Sequence, residues 1–375
     1  GAVTALTLVI RSYREIPRLS SMEPARDGPG GAGAGPKVSI IVAARDEDRH
    51  VQAAVASLLA QDYLDTELVV VDDRSRDRTG AILDDLARKA PRLTVVHVRE
   101  LPAGWLGKNH ALHTGAQRAT GDVLLFMDGD VMLERTAISR AVGALAAEGA
   151  DHLTVSPQMD LPSWPLQLAA LYFLTWGVIA LRIWQVSNPR SRAFVGIGAF
   201  NMVRTRWYRE VGGHTRIRMR PDDDLMLGKL LKQSGARQRV FFGRGMVSVE
   251  WYRSLGEATR GFRKNAFAVL RYSVALFVGS VVINLAIGVW PFAAVFLAEG
   301  AERALSVVTV LALLGGFART AVAQRMPLWL TFLYPVAALL QTGMLVIAVS
   351  RTLAARGIDW RGTFYRLDEL RANRV

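Results

Sequence analysis

The 375-residue sequence has no cysteine. Disulfide staples, thiolate metal sites and a cysteine nucleophile are excluded together. The gap fits a catalytic part that faces a reducing cytosol. Histidine is scarce, at six residues, and no His-x-x-x-His pair occurs. His110, His113 and His214 therefore read as structural rather than as metal ligands. Acidic residues are outnumbered, 33 against 46 Lys and Arg, for a net charge of +13. That excess calls for an anionic partner, such as phosphates or an anionic lipid surface. It does not call for nucleic acid. The arginines are scattered, with no basic helix or aromatic-basic ribbon to read a groove.

What the chain has is apolar length. Its composition is 51% apolar and its mean hydropathy is +0.20, high for a soluble protein. Gly1 to Ile10 (GAVTALTLVI) is apolar and runs into Arg11, Arg14 and Arg18. It is too short to cross a bilayer, which takes about 20 residues. With its basic flank it is expected to be the end of a signal-anchor helix, over residues 1–19. Residues 20–36, rich in Pro and Gly from Glu23 to Pro36, are expected to be a linker. Trp164 to Val186 carries Trp164, Trp176 and Trp184 beside Gln167, Arg182 and Gln185. It is expected to be an interfacial helix over about 162–186, although it could also be a span. Tyr272–Ala298, Ala304–Ala323 and Leu328–Ser350 are each long enough to cross a bilayer, the first kinked or re-entrant at Asn284 and Pro291. The tail, 351–375, is basic. The positive-inside rule puts both this tail and the Arg11–Arg18 flank in the cytosol. Three full crossings of 272–350 would leave them on opposite sides. Either one segment does not cross or the tail breaks the rule. The expectation is a multi-pass protein of the inner or plasma membrane with a cytoplasmic catalytic domain.

That domain begins at Lys37. Val38–Ala43, Leu68–Val71, Thr94–Val98 and Val123–Met127 are short β-branched or apolar runs, which read as buried parallel strands. His50–Ala60, Asp77–Ala87 and Lys108–Ala119 between them have helical periodicity. The alternation predicts a doubly wound α/β fold with a mostly parallel sheet. Ligands of such sheets sit at the carboxyl ends of the strands. Acids collect there. Arg45-Asp46-Glu47-Asp48 follows the first strand, Asp72-Asp73 the second and Asp128-Gly129-Asp130 the fourth. Asp222-Asp223-Asp224 opens a later helical segment. A single cluster would read as a helix cap, and Asp77 and Glu47 fit that role. Three at successive strand ends point to a site, because unpaired buried acids are costly. Carboxylates without Cys or paired His suit a hard cation, Mg²⁺ or Mn²⁺, of the kind that bridges acids to a diphosphate. Repulsion within Asp222–Asp224 should raise at least one pKa. One of the three is expected to cap its helix, and another to serve as a general base.

These strings together resemble glycosyltransferase family 2, with its GT-A nucleotide-sugar fold, over about residues 37 to 271. VSIIVAARDED is similar to the family's first strand and acidic turn, VVVDDRSRDRT to its second, and LLFMDGD to its strand and Asp-x-Asp. DDLMLGKLLK resembles the segment holding the catalytic base. LPAGWLGKNHAL, VGIGAFNMV and the terminal DWRGTFY resemble a lipid-directed branch, which includes ceramide glucosyltransferase-like, hopanoid-associated and carotenoid-glycosylating enzymes. The resemblance implies donor contacts at Ala44, Arg45, Glu47, Asp72, Asp73 and Lys108. It implies metal and diphosphate contacts at Asp128, Gly129 and Asp130. It implies a base at Asp224, preceded by Asp223, and an acceptor side at Gly198, Ala199, Phe200 and Trp251. Arg260, Arg263 and Lys264 stand where a diphosphate clamp is expected, with Lys264 replacing the family's usual Trp. A basic membrane-surface patch is the equal alternative for that trio.

The activity so implied is an inverting, metal-dependent transfer of a sugar, from a UDP-sugar or similar donor to a membrane lipid. Two alternatives stay close: a processive polysaccharide synthase and a polyprenyl-phosphate glycosyltransferase. A non-catalytic membrane scaffold on the same fold is the third.

Overall fold

The architecture is that of a computed structural model, described for residues 1–25 and 35–373. Of the expected linker, positions 26–34 lie outside the described residues. The chain divides into two compact units. One consists chiefly of Pro17–Asp160 and Gln185–Glu250; the other gathers Gly1–Ile16, Leu161–Trp184 and Trp251–Arg371.

Helix α1 (Ala2–Glu15) belongs to the second of these. The first unit opens with β1 (Val38–Ala44), α2 (Val51–Leu59), β2 (Thr66–Asp73), α3 (Thr79–Ala87), β3 (Leu93–Val98), α4 (Gly107–Arg118) and β4 (Val123–Asp128). Every expected strand and helix in this stretch is present within about two residues of its expected ends. The unit continues with β5 (Val131–Leu133), α5 (Ala137–Ala147), β6 (His152–Ser156) and β7 (Gln158–Asp160). After α6 (Trp164–Ala180) come β8 (Asn201–Arg204), α7 (Thr205–Glu210), α8 (Gly213–Arg216), α9 (Asp223–Gln233), β9 (Gln238–Phe242) and β10 (Val247–Glu250).

A seven-stranded sheet runs in the order β3-β2-β1-β4-β8-β6-β9. β1 is parallel to β2 and to β4, and β2 to β3. β8 is antiparallel to both of its neighbours, and β6 and β9 are parallel to each other. This is a GT-A-like, mostly parallel sheet. Its central strands are buried on both sides: Ile40, Val42, Val70, Leu125 and Met127 pack with α2 and α5, and Ile41, Leu124 and Phe126 with α9. The strand register sets Ala44 beside Asp72, and Ala43 beside Asp128. The acid clusters therefore meet at one edge.

His110, His113 and His214 pack against other side chains of this unit. His214 is 1% exposed, and its Nδ1 lies 2.8 Å from the Tyr208 hydroxyl. Burial drives its pKa down to about 3. His110 and His113 pack on Trp105 at 5.6 and 5.0 Å.

The second unit is helical. It holds α1, α6, α10 (Leu255–Val269), α11 (Val274–Gly288), α12 (Trp290–Leu297), α13 (Gly300–Gln324) and α14 (Tyr334–Ala355). The hairpin β11–β12 (Gly357–Trp360, Thr363–Arg366) and α15 (Leu367–Ala372) close the chain. Trp164–Gln185, Gly300–Gln324 and Leu328–Ala355 are long and apolar enough to cross a membrane. Tyr272–Ala298 is not one helix. It breaks at Val289, ahead of Pro291, which opens α12 and cannot continue the ladder of α11. Helices α10 and α11 meet at a bend of 115°. Helix α6 is apolar on all sides rather than amphipathic. Its Leu168, Leu171 and Tyr172 pack with Phe317 and Tyr334. Asn284 donates to the Ala338 carbonyl and the Thr342 hydroxyl, at 3.0 and 2.7 Å, and accepts from Tyr172. Its amide is satisfied inside the bundle, as an apolar surrounding requires.

Candidate active site

Four side chains from three separate elements meet past the end of β4. Lys108, on the first turn of α4, lies 2.6 Å from Asp128 Oδ1 and 3.7 Å from Asp223 Oδ1. Asp224, next to Asp223, accepts hydrogen bonds from the Gly198 and Leu225 amides, at 2.7 Å each. Glycine permits this meeting. A Cβ on Gly198 would lie 2.9 Å from Asp128, 3.1 Å from Lys108 Nζ and 3.3 Å from Asp224. A Cβ on Gly196 would fall 1.8 Å from the Asp224 carbonyl, and one on Gly228 would fall 2.1 Å from that of Val195. Segment 195–198 and α9 thus touch backbone to backbone.

The electrostatics are lopsided, with one ammonium among three carboxylates. Burial pulls the Lys108 pKa down, but Asp128, Asp223 and Asp224 more than reverse this and hold it above its ordinary value. Burial raises the Asp224 pKa, Lys108 and the Leu225 and Gly198 amides oppose the rise, and Asp128 adds to it; the net direction is upward. A raised carboxyl was expected within 222–224. Its cause is burial and Asp128, not repulsion among the three. Asp222 stands at the N-cap position of α9 without capping it. Its carboxylate is held by Arg220, at 2.8 and 2.6 Å.

The remaining expected donor residues divide. Asp73 is gripped by Arg74, at 2.7 and 3.1 Å, with Arg45 3.6 Å away. Gly107 makes room for it, since a Cβ there would lie 2.2 Å from Asp73 Oδ2. Asp72 lies 2.9 Å from His97, which also meets Asp84 at 2.9 Å. Glu47 is half-buried, and its amide donates to Thr79. Asp77 accepts from the Thr79 amide at the start of α3, as a cap does. Ala44 is buried beneath Gly129. Asp130 lies in the turn between β4 and β5. Among the described residues, no group of three or more His, Asp or Glu is arranged to hold a metal ion.

One expectation changes. Ala199 and Phe200 belong to the core of the sheet, 7% and 0% exposed, so of that trio only Gly198 faces the carboxylates. Trp251, Arg260, Arg263 and Lys264 lie in the helical unit. There Lys264 sits 4.9 Å over the Trp360 ring, and Trp251 packs against Phe173 and Phe262.

Sequence reasoning missed the staple that brings Lys108 to α9. Asn109 Nδ2 donates to the carbonyls of Ile217 and Arg220, at 2.8 and 2.9 Å. The chain just ahead of Asp222 is thereby tied to the helix carrying Lys108. A buried amide beside a candidate site lysine was the available signal. It also missed His97, whose only signal was its place in a strand next to β2.

This strand order, with acids at the carboxyl edge of a parallel sheet, meets an independent comparison. A profile of glycosyl transferase family 2 matches residues 39–212. The chain carries a family 2 glycosyltransferase domain. The match spans the acidic turns, Lys108, the Asp-x-Asp and Gly198, and stops short of Asp223 and Asp224. The chain is 24% identical over 216 residues to 4,4'-diaponeurosporenoate glycosyltransferase of Staphylococcus haemolyticus, covering 57% of this chain and 56% of that one. It is 34% identical over 114 residues to beta-monoglucosyldiacylglycerol synthase of Synechocystis, covering 30% of this chain and 23% of that one. It spans little more than half the length of the first of these relatives and about a quarter of the second. Among solved structures, a mannosyltransferase from Pyrobaculum calidifontis, in complex with GDP-mannose and Mn²⁺, shares the fold with a TM-score of 0.51. That likeness covers 91% of this chain and 97% of the other, at 18% identity.

Proposed function

We propose that the protein is a membrane-associated glycosyltransferase that moves a sugar from a nucleotide-sugar donor to a lipid acceptor with inversion at the anomeric carbon. The observation that carries this is Asp224: a half-buried carboxyl of raised pKa, fixed by two amides beside Lys108 and Asp128. A general base needs that combination of basicity and fixed aim. Asp224 takes the proton of the acceptor hydroxyl as its oxygen bonds to the anomeric carbon. The bond from that carbon to the phosphate oxygen breaks, and its electron pair leaves on the nucleoside diphosphate. Lys108 faces the developing charge as a fixed cation.

Asp128 and Asp130 are the residues that would hold a divalent ion. Asp128 is 39% exposed and its donors are hard oxygens, which fits Mg²⁺ or Mn²⁺. Such an ion commonly takes only one or two carboxylates and fills its shell from substrate phosphate and water. When bound, it neutralises charge on the leaving diphosphate. Asp72, Asp73 and Glu47 lie at the same strand edge and suit the nucleoside.

The lipid acceptor rests on the three long apolar helices and on relatives named for a carotenoid and a diacylglycerol product. A soluble acceptor gives no reason for that apolar length. We place the sheet domain on the cytoplasmic side, following the basic flank after α1.

The test is label transfer. Detergent-solubilised protein is mixed with host lipids and radiolabelled UDP- or GDP-sugars, with Mn²⁺ or with EDTA. Metal-dependent label in the organic phase is expected. Label in polymer instead would make the protein a polysaccharide synthase. No label with any donor or lipid would sink the enzymatic assignment.

A further inference from the structure

The sheet has a second charged cluster at its opposite edge. Thr120, Gly121 and Asp122 precede β4, and Arg204 ends the antiparallel strand β8 beside it. Together with Asp151, Arg206, Arg209 and Arg237 they line a cleft of about 470 Å³. The six residues of β4 separate this cleft from Asp128, about 20 Å at the rise of a strand. It is not part of the candidate active site.

Its composition is the inverse of that site. Asp151 is 4% exposed and lies 3.9 Å from Arg204, 3.0 Å from Arg206 and 3.5 Å from Arg237. It also accepts from the Arg237 amide at 3.1 Å. One bidentate guanidinium would neutralise a buried carboxylate. Three on one carboxylate repel each other and leave uncompensated positive charge. Arg209 adds a fourth, with no ion pair among the described residues. The other acid in the lining, Asp122, is exposed and already accepts from the Lys37 amide. The guanidinia of Arg206 and Arg237 are 70% and 60% exposed. Asp151 therefore anchors the near side of a fan of donors whose far side is open. Forked N–H donors in that arrangement suit tetrahedral oxyanions.

We propose that this cleft binds a phosphate group, held by Arg206, Arg209 and Arg237 with Asp151 as the buried strut that orients them. The same chemistry is offered by a soluble phosphate and by the headgroup of an anionic phospholipid. The inference is independent of what the domain catalyses.

The experiment is calorimetric titration of the full-length protein in neutral detergent. One arm uses pyrophosphate and the other uses a short-chain, water-soluble phosphatidic acid. Each is run in EDTA, so that no metal bridges pyrophosphate to the carboxylate site, and is repeated on Arg206→Gln/Arg209→Gln. Saturable binding is expected, weakened at least about tenfold in the double Arg variant, since each Arg–phosphate contact is a charge-assisted pair. Binding of both probes identifies a soluble-phosphate site, and binding of the lipid alone identifies a headgroup site. The proposal is overturned if the wild type binds neither. It is equally overturned if the Arg variant, folded by circular dichroism, binds as tightly as the wild type.

Discussion

The two edges of the same sheet carry opposite charge arrangements. At the carboxyl ends of β1, β2 and β4, one lysine sits among Asp128, Asp223 and Asp224. At the far end of β4, one aspartate sits among Arg204, Arg206 and Arg237. In both, the minority charge is largely enclosed, Lys108 at 19% and Asp151 at 4% exposed, and the majority keeps exposed members. A purely structural ion pair needs no surplus, because equal partners satisfy each other with less desolvation. A surplus of one sign, anchored by a buried counter-charge, marks a place prepared for a ligand of the other sign. On that argument the carboxyl edge takes a cation or a proton, and the amino edge takes an anion.

The largest effect should come from the carboxyl edge. Asp224→Asn keeps the shape and removes the basicity, so transfer should fall about 10²–10⁴-fold while donor binding changes little. The split between kcat and donor KM in the label-transfer assay checks it. A mild effect would favour an acceptor that needs no base, such as a polyprenyl phosphate.

Removing either minority charge should then show what it was holding apart. Lys108→Met removes the cation from buried Asp223 and from the partly exposed Asp128 and Asp224, and should cost about 3 kcal/mol, read as a lower unfolding temperature. The Lys108 pKa is raised in the fold, so at neutral pH its contribution is fully present. Asp151→Asn is the mirror experiment. Hydrogen bonds and ion pairs from Arg237 and Arg206 outweigh burial and hold the Asp151 pKa below its ordinary value. Its contribution is present above the ordinary carboxylate range and is lost as pH falls through the lowered pKa. The cost should be smaller, about 1–2 kcal/mol, because Arg206 and Arg237 are mostly exposed and screened. Equal costs would mean that exposure of the partner charges does not distinguish the two edges.

Gly198→Ala sharpens the geometry. The new methyl group would press on Asp128, Lys108 and Asp224 together. Transfer should drop about tenfold with the fold intact, because small displacements of reacting groups are costly. Unaltered transfer would mean that the four groups tolerate spreading, and that their spacing is not a working distance.

The sheet and its carboxyl edge were legible in the sequence. Buried parallel strands read as unbroken apolar runs, and an acid directly after such a run must lie at the strand's end. Register then does the rest. The amino edge was not legible. Asp151 and Arg237 are far apart in sequence, and Arg204, Arg206 and Arg209 lie in a string, RTRWYR, that reads as ordinary surface. Only the strand order β4-β8-β6-β9 brings them together, and periodicity carries no signal for strand order. Ala199 and Phe200 failed for a related reason. A motif names the segment, but the turn ahead of β8 decides which residue of it faces the site.

His97 offers the smallest test and the most specific one. It shows that not every acid at the carboxyl edge belongs to a surplus, since Asp72 is matched by His97 and His97 by Asp84. Hydrogen bonds to Asp84 and then to Asp72 raise the His97 pKa above its ordinary value. A raised folded-state pKa means that the stabilisation is complete below the ordinary histidine value and fades as pH rises through the folded one. The ring is 39% exposed, so the gain is screened and should stay below about 1 kcal/mol. His97→Gln should therefore lower the unfolding temperature near about pH 5 and leave it nearly unchanged near about pH 9. In the transfer assay the same variant should raise donor KM slightly and spare kcat, because Asp72 loosens while Asp224 does not. A difference in unfolding temperature that is the same at both pH values would mean that His97 is neutral and only fills space. Asp72 would then count with the surplus, and the carboxyl edge would be more acidic than its closed pairs imply.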